Sequence, residues 1–458
     1  MPETSKPTPT TPIPALGPLD RRLLRTLQWS AATAAFQIEG ARAEDGRGRS
    51  IWDDFVDTPG AVKDGSTADP GPDSYHRSGE DVALLSRLGV DAYRFSLSWV
   101  RVRPDGAVNP RGIAAYDRLV DQLLAAGITP EPTLYHWDLP SALEAEGGWL
   151  RRETAERFAE YVETVAAALG DRVHHWYTIN EPVSTALQGY AIGELAPART
   201  LLFDALPAVH HQLLAHGRAV EVLRAHGAER VGIVNNHTAV RAASGSAADQ
   251  EAAFLYDLVH NRLFADPVLL GRYPDLSALG AELPVREGDL ALISARCEVY
   301  GVNYYNPTTI AASDGPVPFA AVPTPGAPTT GFGALWPIDP EGLVEFLVDA
   351  AERYGSALPP VVIAENGASF PEPARVSGPI DDAARISYLR GHVLAVLEAK
   401  RQGIRIDEYT VWSLLDNFEW AEGYTQRFGL VHVDMETGAR TPKASFDWYR
   451  ALISEARA

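Results

Sequence analysis

Residues 113–138 read IAAYDRLVDQLLAAGITPEPTLYHWD and contain one complete helix-to-strand unit. Apolar side chains recur at helical spacing through residues 113–126, and Gly127 marks the end of that helix. Residues 129–135 form an apolar run that ends in His136, Trp137 and Asp138. A helix, a glycine and a buried strand in this order are typical of the repeating unit of an α/β protein.

The same unit recurs along the chain. Strand-like apolar runs occur at residues 27–33, 92–97, 129–135, 174–179, 230–234, 298–304, 361–364 and 408–415. Helical patterns separate them, over residues 80–88, 113–126, 155–169, 205–226 and 384–402. Eight such units predict a single-domain α/β fold, the (β/α)8 TIM barrel. A minimal barrel needs about 250 residues, so the remainder is expected in long loops inserted at the carboxyl-terminal face.

The barrel is expected over residues 19–458, after a Pro/Thr-rich leader at residues 1–18 that is predicted to be disordered. The leader resembles no secretion signal and the sequence contains no membrane-spanning apolar run, so a cytoplasmic location is expected. A Pro/Gly-rich stretch at residues 313–333 is expected to be a mobile surface loop.

Composition narrows the possible partners. The chain has 40 Lys and Arg against 60 Asp and Glu, a formal net charge of −20. Such a field repels phosphate backbones and anionic lipid, so neither a nucleic acid nor a membrane is an expected partner. A single cysteine, Cys297, excludes an intrachain disulfide. P-loop, dinucleotide-binding, esterase and zinc-protease motifs are absent from the sequence, and neither a metal nor a cofactor is expected.

Polar residues follow nearly every strand-like run. Two of them are glutamates beside an asparagine, Glu181 after the fourth run and Glu365 after the seventh. In barrel enzymes the carboxyl ends of the strands form the active face. Two facing carboxylates among indole rings are what glycosidic bond cleavage requires, because one donates a proton to the leaving oxygen and the other meets the oxocarbenium-like carbon.

These residues belong to motifs that resemble glycoside hydrolase family 1, the β-glucosidase family. Residues 178–182, TINEP, match its acid/base motif T-x-N-E-P, and residues 363–367, IAENG, match its nucleophile motif except that Ala364 replaces the usual Thr. QIEG at 37–40, YRFS at 93–96, YHW at 135–137, NYY at 303–305 and WSLLDNFEW at 412–420 extend the resemblance from about Trp29 to Tyr449.

The resemblance implies a role for each matching residue. Glu365 would be the nucleophile and Glu181 the acid/base, with Arg94, Tyr305 and Asn180 as supporting catalytic residues. Arg94 and Tyr305 would favour the charged form of Glu365, and repulsion from that charge would favour the protonated form of Glu181. The implied substrate-binding residues are Gln37, His136, Trp137, Asn180, Asn303, Tyr305, Trp336, Trp412, Glu419, Trp420 and Phe428.

The implied activity is retaining hydrolysis of a small β-glycoside, with carboxyl groups about 5 Å apart, in carbohydrate metabolism such as cellobiose degradation. Three alternatives stay open: a 6-phosphoglycosidase, which Glu419 disfavours by repelling phosphate, a transglycosidase with the same two glutamates, and a sugar-binding pseudoenzyme. Departures from the family pattern at residues 69–77 and 195–198 are expected to lie in loops and to affect leaving-group preference. The oligomeric state and the choice among glucosides, galactosides and fucosides stay undetermined.

Overall fold

The computed structural model describes residues 17–374, 376 and 378–458. Eight parallel strands form a closed barrel: Gln28–Thr33 (β1), Ala92–Ser96 (β2), Thr129–Tyr135 (β3), His175–Asn180 (β4), Arg230–Asn236 (β5), Tyr300–Asn303 (β7), Val361–Asn366 (β10) and Ile406–Trp412 (β11). Their order around the barrel is β1-β11-β10-β7-β5-β4-β3-β2. The (β/α)8 prediction is therefore confirmed.

Helices connect and cover the strands. The α-helices are Pro18–Arg25 (α1), Ala35–Ile38 (α2), Ile51–Val56 (α3), Ser74–Leu88 (α4), Trp99–Val102 (α5), Pro110–Ala125 (α6), Ser141–Ala145 (α7), Glu153–Leu169 (α8), Leu206–Ala225 (α9), Ala247–Asp257 (α10), Leu263–Leu270 (α11), Asp289–Ile293 (α12), Glu341–Tyr354 (α13), Ala383–Arg401 (α14) and Ala444–Arg457 (α15). Two π-helical segments, Ser184–Ala191 and Leu258–Arg262, lie in the loop regions beside the barrel mouth. None of the described helices is long and apolar enough to cross a membrane.

The unit at residues 113–138 shows why the sequence folds this way. The Asn109 side chain caps α6 by accepting the Arg111 N–H at 3.2 Å, and Gly127 after the helix has φ of 73°. Pro130 and Pro132 have no N–H to donate, and β3 pairs with β4 only from Thr133 onward. On the side of β3 that faces β4, pairing between the two strands therefore begins only after the two prolines.

Loop regions differ from the expectations in three places. Residues 313–333, expected to be a mobile surface loop, contain Phe319–Val322 (β9), which pairs with Thr308–Ala312 (β8) in a small sheet with Val240–Ala242 (β6), so that expectation is wrong for these four residues. The segment at 69–77 is only partly a loop because α4 begins at Ser74. Of the leader, residues 1–16 lie outside the described residues, whereas Pro18 already opens α1.

A two-stranded ribbon of Val431–Val433 (β12) and Arg440–Pro442 (β13) completes the sheets of the described chain. The core surrounds the barrel, and its largest fully buried side chains include Trp29, Trp52, Trp149 and Trp176. Polar and aromatic side chains occupy the barrel mouth, at the carboxyl ends of the strands.

Candidate active site

The two glutamates are brought together by the barrel. Glu181 follows β4 directly and Glu365 lies in β10, with β5 and β7 between these strands on the shorter way round. Asn303 of β7 is the register partner of Glu365. Side chains from distant parts of the sequence therefore converge on one end of the barrel.

Both oxygens of Glu365 accept a hydrogen bond. The Arg94 guanidinium donates to Oε1 at 2.6 Å, and the Tyr305 hydroxyl donates to Oε2 at 2.6 Å. The side chains of Arg94 and Glu365 are only 2% and 3% exposed. The carboxylate is thus held in one orientation in a site with little solvent.

Burial dominates the electrostatics of Glu365. It raises the pKa of this carboxyl, and the Glu181 charge adds to the rise, while Arg94 and Tyr305 lower it. The result is a pKa of about 7. The two neighbours act in the direction inferred from sequence, but that inference left out the larger effect of burial.

Glu181 has different partners. Its Oε1 accepts from the amides of Asn303 at 2.7 Å and Asn236 at 3.0 Å, and its Oε2 lies 2.8 Å from the Ser184 hydroxyl. Amide nitrogens only donate, whereas a hydroxyl can also accept. The protonated form of Glu181 can therefore keep all three contacts if its proton is on Oε2.

Backbone strain is concentrated in this region. Of the nine non-glycine residues with positive φ in the described chain, four line the cavity of the site, and three of these are predicted site residues: Trp137 at 78°, Glu181 at 46° and Trp420 at 51°. Bulky residues rarely adopt this left-handed conformation unless the surrounding structure imposes it. The fold holds these three side chains where local preference would not place them.

Asn180 links the two glutamates. Its Oδ1 accepts from Arg94 at 2.7 Å and from Asn303 at 3.0 Å, and its Nδ2 lies 3.1 Å from Nε2 of His136. Since both donors to Oδ1 orient the amide, Nε2 of His136 must accept and Nδ1 carries the ring proton. Burial lowers the pKa of His136 well below its usual value, so its ring is neutral.

Gln37 and Glu419 form a second polar pair. Gln37 donates to Asn417 Oδ1, the Phe418 carbonyl and Glu419 Oε2 at 3.1, 2.9 and 3.3 Å. Its Oε1 is buried without a hydrogen-bond partner among the described residues. Burial and the charges of Glu365 and Glu181 raise the pKa of Glu419 to about 8. Both groups have unused hydrogen-bonding capacity suited to hydroxyl groups.

Aromatic rings form the walls. Trp412 stacks on His136 with ring centres 5.8 Å apart, and Trp420 contacts Trp137 at 4.5 Å. At a second wall, Trp336 stacks on Phe332 at 4.3 Å. Such faces pack well against the C–H surfaces of sugars or against other rings.

Gly367, two residues after Glu365, brings the end of β10 against Trp412. A Cβ on Gly367 would lie 1.7 Å from the Trp412 carbonyl oxygen, so only glycine allows this approach.

These residues surround one cavity of about 930 Å³. Eleven predicted site residues line it: His136, Trp137, Asn180, Glu181, Tyr305, Trp336, Glu365, Trp412, Glu419, Trp420 and Phe428. The other three, Gln37, Arg94 and Asn303, lie behind this lining and hydrogen-bond to residues that form it.

Sequence reasoning missed two contacts of Glu181. Ser184 was not identified, although its spacing of three residues after Glu181 is the separation that brings side chains together in a helical turn. Asn236 is one of the polar residues that follow the strand-like runs, but no contact with Glu181 was predicted for it. The predicted barrel places the fourth and fifth strands side by side, but the register that brings Asn236 to Glu181 is not evident from the local sequence.

A second cluster of charged residues lies nearby. Ligand atoms of Glu372, Asp416 and His432 lie within 4.8 Å of one another, close enough in principle for a metal ion. Lys443, however, donates to Glu372 at 2.6 Å and to Asp416 at 2.9 Å, and Arg427 donates to Asp416 at 3.0 Å. We interpret the cluster as a buried ion network because protein cations already pair with its carboxylates.

Comparisons with known proteins agree with this geometry. The model of the family described as Glycosyl hydrolase family 1 matches residues 21–458. Beta-glucosidase A of Thermotoga maritima is 42% identical over 433 residues, with 93% of this chain and 96% of that protein covered. A bifunctional beta-D-glucosidase/beta-D-fucosidase of Bifidobacterium breve is 43% identical over 458 residues, with 93% and 97% covered.

Among solved structures, the psychrophilic beta-glucosidase of Micrococcus antarcticus has a TM-score of 0.91 and 43% identity, covering 97% of this chain and all of that one. The family 1 beta-glucosidase of Thermotoga maritima has a TM-score of 0.90 and 41% identity, covering 94% and 97%. With the paired glutamates and the closed barrel, these matches show that the chain is a glycoside hydrolase and belongs to glycosyl hydrolase family 1.

Proposed function

We propose that this chain is a retaining β-glucosidase that releases terminal non-reducing β-D-glucosyl residues through a covalent glycosyl-enzyme. The observation that supports this proposal is that the two buried carboxyl groups in one cavity have different hydrogen-bond partners. Glu365 accepts from a cation and a phenol, whereas Glu181 is held by two amides and a hydroxyl. The Arg94 cation favours the ionised form that a nucleophile needs, and the Ser184 hydroxyl, which can accept as well as donate, is compatible with a glutamate that donates a proton.

In the first step, Glu181 transfers its proton to the glycosidic oxygen as the bond from that oxygen to C1 breaks. Glu365 attacks C1 from the opposite face and forms an ester, which removes its negative charge. Glu181, now ionised, takes a proton from water, and the oxygen of that water displaces Glu365 from C1. Two inversions leave the product with the β configuration of the substrate.

The proposed sugar contacts follow from the free polar groups. Gln37, His136, Glu419 and the Trp420 indole would bind hydroxyls of the glucosyl unit, with Trp412 beneath the ring and Asn180 at the 2-hydroxyl. None of the described residues lining the cavity is Lys or Arg, which favours a neutral sugar over a 6-phosphoglycoside. The names of the relatives support glucose first and fucose second.

The test assigns the role of each glutamate from the activity and the products of its variant. With 4-nitrophenyl β-D-glucoside, Glu365→Gly and Glu181→Ala should both lose most activity. Glu194→Gln, which changes an exposed glutamate of the same cavity, should keep it. Added azide should give Glu181→Ala a β-glucosyl azide, because azide then intercepts the glycosyl-enzyme. Wild-type activity in Glu365→Gly, or an α-glucose first product from the wild type, would contradict the mechanism.

A panel of aryl β-glucosides, β-galactosides and β-fucosides, compared by kcat/KM, tests the sugar preference. A role in cellobiose degradation requires turnover of cellobiose itself in the same panel. Product analysis with an added alcohol separates hydrolysis from transglycosylation.

A further inference from the structure

The direction of the hydrogen bonds around Glu181 shows which of its two oxygens carries a proton. Arg94 can only donate, so the atom of Asn180 that it contacts at 2.7 Å is the amide oxygen. The same oxygen lies 3.0 Å from Asn303, which therefore contributes its Nδ2 to that contact. This Nδ2 also lies 2.7 Å from Oε1 of Glu181, so Asn303 donates to that carboxyl oxygen.

Oε1 of Glu181 has a second donor. The amide nitrogen of Asn236 lies 3.0 Å from the same atom. Because two donors occupy the lone pairs of Oε1, a proton on Glu181 belongs on the other oxygen, Oε2. Among the described residues, the hydrogen-bond partner of Oε2 is the Ser184 hydroxyl, at 2.8 Å. Ser184 is therefore in contact with the oxygen that has to deliver the proton.

The backbone holds Ser184 in this place. Glu181 lies in the left-handed region with a φ of 46°, and its carbonyl oxygen accepts the Ser184 N–H at 3.0 Å. Ser184 is also the first residue of the π-helical segment Ser184–Ala191. Ser184 and Glu181 are only 6% and 4% exposed. The serine is thus tied to the glutamate by its main chain and its side chain, where bulk water has little access.

A hydroxyl group suits both charge states of a carboxyl group. The Ser184 hydroxyl accepts a hydrogen bond from a protonated Oε2, and after rotation about its Cβ–Oγ bond it donates one to an ionised Oε2. Hydrogen bonds to an ion are about twice as strong as those between neutral groups. The hydroxyl therefore stabilises Glu181 more strongly once the proton has left.

We propose that Ser184 is a positioning residue for the acid/base: it holds Oε2 of Glu181 as the proton-delivering oxygen and donates a hydrogen bond to it as the proton leaves. This inference rests on the proposed function, in which the bond from C1 to the leaving oxygen breaks. The electron pair stays on the leaving oxygen, which takes the proton from Oε2. The leaving oxygen thus replaces Ser184 as the acceptor of that proton, and the freed hydroxyl turns to the carboxylate.

Two leaving groups of different basicity test the inference. 2,4-Dinitrophenolate is stable enough to depart without a proton, whereas phenolate is more basic and gains from proton transfer by Glu181. A residue that acts through the acid/base should therefore affect phenyl β-D-glucoside and spare 2,4-dinitrophenyl β-D-glucoside. The measurement is kcat/KM, which reports formation of the glycosyl-enzyme for both substrates.

Ser184→Thr and Ser184→Val are the matched variants, because their side chains have the same shape and only threonine keeps the hydroxyl. With phenyl β-D-glucoside, kcat/KM of Ser184→Val should be about 5- to 10-fold below that of Ser184→Thr, from the difference between a charged and a neutral hydrogen bond. With 2,4-dinitrophenyl β-D-glucoside the two should agree within about twofold. Ser184→Ala, compared with the wild type, repeats the test without an added methyl group.

Thr185→Val is the control. Thr185 is the next residue of the same segment, is also buried, and its hydroxyl has no hydrogen bond to Glu181. Removing this hydroxyl should leave kcat/KM unchanged for both glucosides. Thermal unfolding of all variants checks that the fold is retained.

The outcomes separate the two proposals. If the wild type cleaves both glucosides but the threonine and valine variants behave alike, or the loss is the same for both leaving groups, the role of Ser184 is overturned and the proposed function stands. A loss of the same size and selectivity in Thr185→Val overturns that role as well. If the wild type cleaves neither glucoside, both the inference and the proposed function fail.

Discussion

Tyr305→Phe isolates one hydrogen bond to the proposed nucleophile. The substitution removes the hydroxyl that lies 2.6 Å from Glu365 Oε2 and keeps the ring that contacts Trp336 and Phe428. Burial and the nearby glutamates raise the pKa of Tyr305 well above its usual value, so this hydroxyl remains a donor throughout the working pH range. The change therefore acts on the charged form of Glu365.

The size of the effect follows from the bond removed. A hydrogen bond to a charged group contributes about 1.5–3 kcal/mol. At about 1.36 kcal/mol per pKa unit, its loss raises the pKa of Glu365 by about 1–2 units. Since that pKa starts at about 7, a larger fraction of the variant holds a protonated, unreactive nucleophile. At about pH 6, kcat/KM should fall about 10- to 100-fold, with a smaller loss at higher pH.

The measurement is the pH profile of kcat/KM with an aryl β-glucoside, whose acid limb reports the free enzyme. Tyr304→Phe is the control, because Tyr304 is also buried but its hydroxyl has no hydrogen-bond partner among the described residues. Thermal unfolding of both variants checks that the fold is retained. An acid limb that stays at the wild-type position in Tyr305→Phe would refute the idea that this hydroxyl stabilises ionised Glu365.

Two predictions concern stability. Glu131 and Glu408 are buried close to each other inside the barrel, and burial raises the pKa values of both, so the stability they contribute is present below the unfolded pKa of about 4.3 and is lost as pH rises. Glu408→Gln should therefore reduce the fall in Tm between about pH 5 and pH 8, and an unchanged slope would contradict this. Lys443→Met should lower the free energy of unfolding by about 3–5 kcal/mol, because it strips a buried cation from Glu372 and Asp416. The control is Lys63→Met, which breaks an exposed ion pair with Glu422 and should lower the free energy of unfolding by about 1 kcal/mol or less. Urea titration measures both variants. Equal losses of stability would argue against a stabilising role of the buried network.

The spacing of the apolar residues and the glycine at the end of a helix were enough to predict the barrel. Each of the eight predicted strand-like runs overlaps a barrel strand, and residues 129–135 coincide with β3. The errors have a physical pattern. The seventh run was ended at Ala364 because Glu365 and Asn366 are polar, yet β10 continues through both. At a barrel mouth, functional polar residues remain in the strand ladder, so polarity marks the site better than it marks the strand end.

Long-range pairings were beyond the sequence. Glu131 and Glu408 lie in β3 and β11, which β1 and β2 separate in the barrel, and nothing local shows that their side chains meet. For Asn236 the predicted barrel gives the neighbouring strand, but the register that brings its amide to Glu181 is not evident from the local sequence. The motif residues were identified because resemblance carries such pairings implicitly, whereas residues outside the motifs needed the three-dimensional order.

The segment after β11 shows how stability and function are divided. Asp416 accepts from Arg427, Lys443 and the Gly429 N–H, and these cations hold its pKa well below the usual range. Three residues later, Glu419 faces the cavity without a cation, and its pKa is raised to about 8. Keeping a buried carboxyl uncompensated costs stability, and the chain tolerates it because the fully paired Asp416 anchors the same segment. We therefore expect that neutralising the Asp416 network displaces Glu419, even though none of the network residues lines the cavity.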